Sequence, residues 1–181
     1  MIELDTKNLT YAQQMLANAP KQVRLAAVSA INRTVTKMRT QTSKTIRENY
    51  VVKAADIKST LKIRRASSAK MQGIIASRGR PLLLTAFRVR ANKRGPVKVQ
   101  VKKQTGAKPV PGMFLGTSRR GYTGAMHRRQ PARYPLRVPY GPSVPQMFGS
   151  RDVIGELTPT AEVTLNERFL HEVEYRFGKL K

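Results

Sequence analysis

From Ile57 to Arg151 the chain contains no aspartate and no glutamate, yet this stretch holds 22 of its 35 lysines and arginines. Asp56 is the last acid before the gap and Asp152 the first after it. No other feature limits the fold as much. Cations with no carboxylate across half a chain cannot be neutralised locally, so they repel one another and must face solvent or an external anion. The formal net charge of +25 is thus concentrated centrally: residues 1–56 carry 9 basic and 4 acidic side chains, and residues 152–181 carry 4 and 6. A nucleic-acid backbone is the commonest polyanion able to compensate such a block. An acidic protein surface in an assembly would also serve, and the plainest alternative is a solvated basic face.

The 181 residues suit one domain, and a 40% apolar content is enough to build a core. Cysteine is absent, which removes disulfides and thiolate metal sites and fits a reducing compartment. The opening Met1-Ile2-Glu3-Leu4-Asp5 has neither the basic nor the apolar part of a secretory leader, and no apolar run reaches membrane-spanning length. The expectation is a protein used inside a cell or built into a particle assembled there, with no membrane partner.

Hydrophobic periodicity divides the chain. Leu9, Ala12, Met15, Leu16 and Ala19 predict a short helix over residues 6–18, interrupted by Pro20. A long helix is expected from Lys21 to Glu48, with Val23, Ala26, Ala27, Ala30, Ile31, Thr34 and Met38 on one face and Arg24, Arg33, Lys37, Arg39 and Lys44 on others. Ala54 to Leu61 reads as a further short helix. From Lys70 the period shortens to two. Met71–Ala76 reads as a strand, and Phe87–Ala91 and Val97–Val101 alternate cleanly around turn residues 92–96, predicting a hairpin with one apolar and one basic face. Lys102–Pro111 reads as a loop. Met113–Gly116 and Tyr122–His127 read as a second strand pair around Ser118-Arg119-Arg120-Gly121. Five prolines between residues 131 and 149 exclude a helix interior or central strand and predict an extended arm or crossing loop. Thr158-Pro159 reads as a helix start, with Leu165, Phe169, Leu170, Val173 and Phe177 as the apolar stripe. The expected fold is α+β in a single domain over residues 1–181: a helical part (1–62), a basic β part (70–130), a Pro-rich arm (131–149) and a C-terminal helix (158–178). The N-terminal helices and the C-terminal helix would pack on an antiparallel sheet.

The sequence offers little for catalysis. His127 and His171 lack metal-ligand spacing, the acid gap removes paired carboxylates from the centre, and Gly112–Gly116 is not followed by Gly-Lys-Ser/Thr. No cofactor and no enzymatic activity are expected. What remains is arginine: Arg64, Arg65, Arg78, Arg80, Arg88, Arg90, Arg119, Arg120, Arg128 and Arg129 are the candidate contacts to nucleic acid or an acidic partner. Each can grip phosphate or carboxylate with a planar fork. Tyr122, Tyr134 and Tyr140 do not form the aromatic sheet motif of common RNA-binding modules, so contact with a nucleic acid would be to its backbone and neutral to sequence.

Two stretches carry a family resemblance. One is Ala26-Ala27-Val28-Ser29-Ala30-Ile31-Asn32-Arg33. The other is Pro111-Gly112-Met113-Phe114, followed by Arg128-Arg129, Tyr134-Pro135-Leu136 and Tyr140-Gly141-Pro142-Ser143-Val144-Pro145. With the order of helical, basic, Pro-rich and helical segments, the chain resembles the minor tail protein Z family of long-tailed bacteriophages, related to tail-completion proteins. The resemblance implies a virion component at the head-proximal end of the tail, present in the host cytoplasm during assembly and acting late. It would affect head–tail joining and placement of the DNA end. It implies a homo-oligomeric ring of three or six copies, with tail-tube, terminator and neck proteins as partners. The basic face would then meet either DNA or acidic neighbouring subunits. The stiff arm, with Tyr134, Pro135, Tyr140, Pro142, Pro145 and Phe148, would either reach a neighbouring subunit or simply cross within its own. The alternatives are a free, sequence-neutral DNA- or RNA-binding protein of the nucleoid or ribosome, and behind it a nucleic-acid-processing enzyme.

Overall fold

A computed structural model describes residues 21–91, 96–117, 121, 123–128, 130–132 and 134–178. The short helix expected over residues 6–18 lies outside them, as do residues 92–95 and the side chains of Arg119, Arg120, Tyr122 and Arg129. In chain order the elements are α1 (Lys21–Asn49), α2 (Ala54–Thr60), β1 (Leu61–Arg64), β2 (Ile74–Ser77), β3 (Pro81–Leu83), a 3₁₀ turn (Leu84–Ala86), β4 (Arg88–Arg90) and β5 (Lys98–Gln100). They continue with β6 (Lys108–Pro109), β7 (Met113–Thr117), β8 (Thr123–Arg128), β9 (Leu136–Arg137), β10 (Tyr140–Ser143), α3 (Val144–Phe148) and α4 (Arg151–Gly178). The fold is α+β, and every strand pairing is antiparallel. The strands form four small sheets, ordered β1-β2, β10-β3, β4-β5-β6 and β7-β8-β9, where one sheet was expected. The prolines and glycines between them are the reason, because they end each ladder after a few residues.

The chain divides into two compact units. The first comprises Met1–Thr42, Leu61–Ser77 and Arg151–Lys181. Within it, α1 buries Ala26, Ala27, Ala30, Thr34, Val35 and Met38, a face of mostly small side chains that lets other backbone approach closely. The β1–β2 hairpin uses that closeness at Gly73. A Cβ there would lie 2.5 Å from Val35 Cγ2 and 2.7 Å from Ile31 Cγ2 of α1. The hairpin's connecting segment is tied to the same helix: Asn32 Nδ2 donates to the Ala66 carbonyl (3.0 Å) and the Ala66 N–H donates to Asn32 Oδ1 (2.8 Å).

Helix α4 departs from expectation twice. It starts at Arg151, so Thr158-Pro159 lies inside it. Its first two turns bury Val153 completely and Leu157 almost so, and this burial outweighs the one backbone hydrogen bond lost at Pro159. Its buried face also includes Thr164 and Glu172, while Leu165 and Leu170 of the expected stripe are exposed. Positions 153, 157, 164 and 172 share one helix face. Hydrophobicity alone missed it, because two of the four residues are polar. Glu172 is buried because its Oε1 meets Arg33 Nε of α1 at 2.8 Å, and Arg176 Nη2 donates to Ser29 Oγ at 3.0 Å.

The second unit comprises Ser43–Thr60 and Arg78–Ser150. Its helical end is bound to a strand terminus: the Val51 N–H donates to the Val101 carbonyl and the Lys103 N–H to the Asn49 carbonyl, both at 2.9 Å. The expected hairpin is present, with Val89 opposite Val99 and Arg90 opposite Lys98. The segment read as the Lys102–Pro111 loop adds a third strand, β6, paired with β5. The second expected strand pair is β7–β8. The Pro-rich segment is more structured than an extended arm. β9 pairs with β8, β10 pairs with β3, and α3 buries Val144 and Met147. Pro145 is tolerated because it sits in the first turn of α3, where its missing N–H would have no partner anyway. Ser143 caps that turn: Gln146 N–H donates to Ser143 Oγ, and the Ser143 N–H donates to Gln146 Oε1 (2.9 Å). Gly141 lets β10 lie on Phe87, whose Cε2 would be 2.5 Å from a Cβ at that position.

Candidate functional site

Most of the acid gap, residues 57–60 and 78–150, lies in the second unit. Its residue ranges hold 20 of the 35 lysines and arginines but only two acids, Glu48 and Asp56. The described candidate arginines there, Arg78, Arg80, Arg88, Arg90 and Arg128, are all exposed. In the β4-β5-β6 sheet the two-residue period turns Val89 and Val99 inward and leaves Arg88, Arg90 and Lys98 outward. Arg90 and Lys98 are directly opposed across the strands. Like charges facing each other on a sheet oppose pairing, so this face gains from an anion. On β8, Arg128 lies over the Phe114 ring at 5.2 Å from its centroid, which orders the guanidinium while leaving the residue exposed.

Arg64 and Arg65 belong instead to the first unit, at the end of β1. Arg65 takes part in a constellation that the sequence did not reveal. An open cleft of about 520 Å³ runs along α1, lined by Asn32, Arg33, Thr36, Lys37 and Thr40 from that helix, by Arg65, and by Arg168 of α4. Every lining side chain is polar and none is acidic. Asn32 positions Arg65 by holding the neighbouring residue Ala66, and Glu172 positions Arg33. Arg33 and Lys37 were placed by periodicity away from the apolar face of α1, but nothing local to Arg168 marks it as their neighbour. A smaller cleft of about 300 Å³ in the second unit is lined by Lys44, Arg47, Tyr50 and Lys103 among others, and also by Glu48.

Of the six candidate interface residues, Tyr134, Pro135 and Tyr140 are exposed, whereas Pro142, Pro145 and Phe148 are half-buried in their own unit. His127 and His171 are both exposed. Among the described residues no three His, Asp or Glu side chains come together to hold a metal ion, and no helix is long and apolar enough to cross a membrane.

These features define a basic α+β protein with exposed cationic surfaces. The family model described as prophage minor tail protein Z matches residues 7–177, nearly the whole chain, and the protein belongs to that family. It is thereby a structural protein of a phage tail. No curated protein and no solved structure matches it. Four of the residues that carried the resemblance make architectural contacts: Asn32 and Arg33 tie α1 to the hairpin and to α4, Gly141 admits Phe87, and Ser143 caps α3.

Proposed function

We propose that the protein completes the tail at its head-proximal end, where a ring of three or six copies aids head–tail joining and holds the end of the DNA through cationic surface. It contacts tail-tube, terminator and neck proteins, and is present in the host cytoplasm until it enters the virion. The observation that carries this reading is the charge of the second unit, 20 cations against two acids, with Arg90 facing Lys98 on an exposed sheet. Such a surface is costly in isolation and favourable beside a polyanion. For a tail protein the nucleic acid within reach is the DNA that passes along the tail, and an acidic face of a neighbouring subunit would answer the same charge. Arg88, Arg90 and Arg128 project from strands, and Arg78 and Arg80 from the segment between β2 and β3, a layout that suits backbone binding that ignores sequence. Tyr134, Pro135 and Tyr140 supply exposed, stiff surface for contact with a neighbouring subunit.

The test is assembly without the protein. Particles produced from a phage lacking its gene should contain filled heads and full-length tails that fail to join or fail to inject. Normal joining and normal infectivity would refute the proposal.

A further inference from the structure

We infer that the cleft along α1 in the first unit is a binding site for the phosphate backbone of DNA, in addition to the cationic sheet of the second unit. Four cations converge there from three elements: Arg33 and Lys37 on α1, Arg65 after β1 and Arg168 on α4. Arg33 and Lys37 are four residues apart on one helix face, a mildly unfavourable like-charge spacing, and Glu172 pairs with Arg33 while Lys37 keeps its charge for an external anion. Lys37, Arg65 and Arg168 form no ion pair among the described residues. Arg33 is held through Nε by the buried carboxylate of Glu172, at 2.8 Å. That contact fixes the guanidinium plane and leaves its outer N–H groups for a ligand.

The lining decides the class of partner. The centre of a protein interface is depleted of charged residues. This cleft sets the charged heads of arginine and lysine, with asparagine and threonine, over aliphatic stems and has no acidic side chain, a cationic lining of the kind that grips nucleic-acid backbone. No aromatic side chain lines it, so bases are not stacked there and the contact is to phosphate. The two-way hydrogen bond between Asn32 and Ala66 keeps Arg65 at the cleft without a ligand, so binding orders few side chains.

The inference rests on the reading that the protein holds DNA, and the experiment separates the two. Binding of the full chain to a short duplex DNA is measured as a function of salt, for the native protein and for the triple variant Lys37→Gln, Arg65→Gln, Arg168→Gln. Each lost phosphate contact removes about 0.9 from the log–log salt slope. The triple variant should therefore show a slope flatter by about 2 to 3 units, with a thermal midpoint no lower than that of the native protein. An unchanged slope, with the native protein binding well, would overturn the cleft and leave DNA holding to the second unit. Failure of the native protein to bind duplex at low salt would overturn both. Loss of binding to polyglutamate with DNA binding intact would overturn the inference in favour of an acidic protein partner. Should the triple variant misfold, Thr40→Glu serves, because it puts an anion at an exposed position of the same cleft. It should weaken DNA binding without altering the fold, and full retention of affinity would equally overturn the inference.

Discussion

Asn32 and Arg33 show how two adjacent side chains can organise distant parts of a chain. Asn32 meets Ala66, 34 residues away, through two hydrogen bonds that satisfy both polar groups of one peptide residue. Arg33 meets the buried Glu172 near the other end of the sequence. Asn32→Ala should lower unfolding free energy by about 1 to 3 kcal/mol, since it leaves a partly buried N–H and carbonyl unpaired. Urea denaturation measures this directly, and an unchanged midpoint would mean that water replaces the amide without cost. The sequence marked both residues as part of a motif but could not say what they touch, because both contacts are long-range. It also missed the cleft for this reason. Arg168 is one of three arginines in a helix with six acids, and only the fold brings it to Lys37 and Arg65.

Local signals predicted elements well where pattern and burial agreed. The alternation of Arg88-Val89-Arg90 and Lys98-Val99-Gln100 gave a hairpin with the correct faces, and the spacing of alanines gave α1 to within one residue of its end. Helix α4 was misjudged at its start because Thr158-Pro159 carries a strong local signal that packing overrides. Inside the helix, Thr158 Oγ1 donates to the Ile154 carbonyl at 3.0 Å, and the carbonyl of Gly155 loses its usual partner at Pro159. Gly155 is exposed and has open space around it, so water can reach its carbonyl. Pro159→Ala should therefore restore a backbone bond and stabilise the protein by about 1 to 3 kcal/mol. A thermal midpoint that falls on this change would show that the proline sets a bend that the packing needs.

At the scale of the whole molecule, charge was the most legible property and the division of the chain the least. An acid-free stretch is visible in sequence. That a hairpin from within it (Leu61–Ser77) joins the acid-bearing unit, while the rest forms the cation-rich one, is set by tertiary contacts. The like charges of the second unit destabilise it through mutual repulsion, which salt screens over about 8 Å at physiological ionic strength. The thermal midpoint should accordingly rise between low and physiological salt, and rise further when duplex DNA is added at constant salt. A midpoint that falls with salt would mean that attractive pairs dominate.

The most direct test of the account is a reconstruction of the intact phage particle by electron cryomicroscopy. The account predicts several copies arranged around the tail axis at the head-proximal end, with Arg88, Arg90 and Lys98 or the cleft around Lys37, Arg65 and Arg168 directed at DNA density. A single copy off the axis, a position at the distal tip, or cationic surfaces facing only solvent would contradict it.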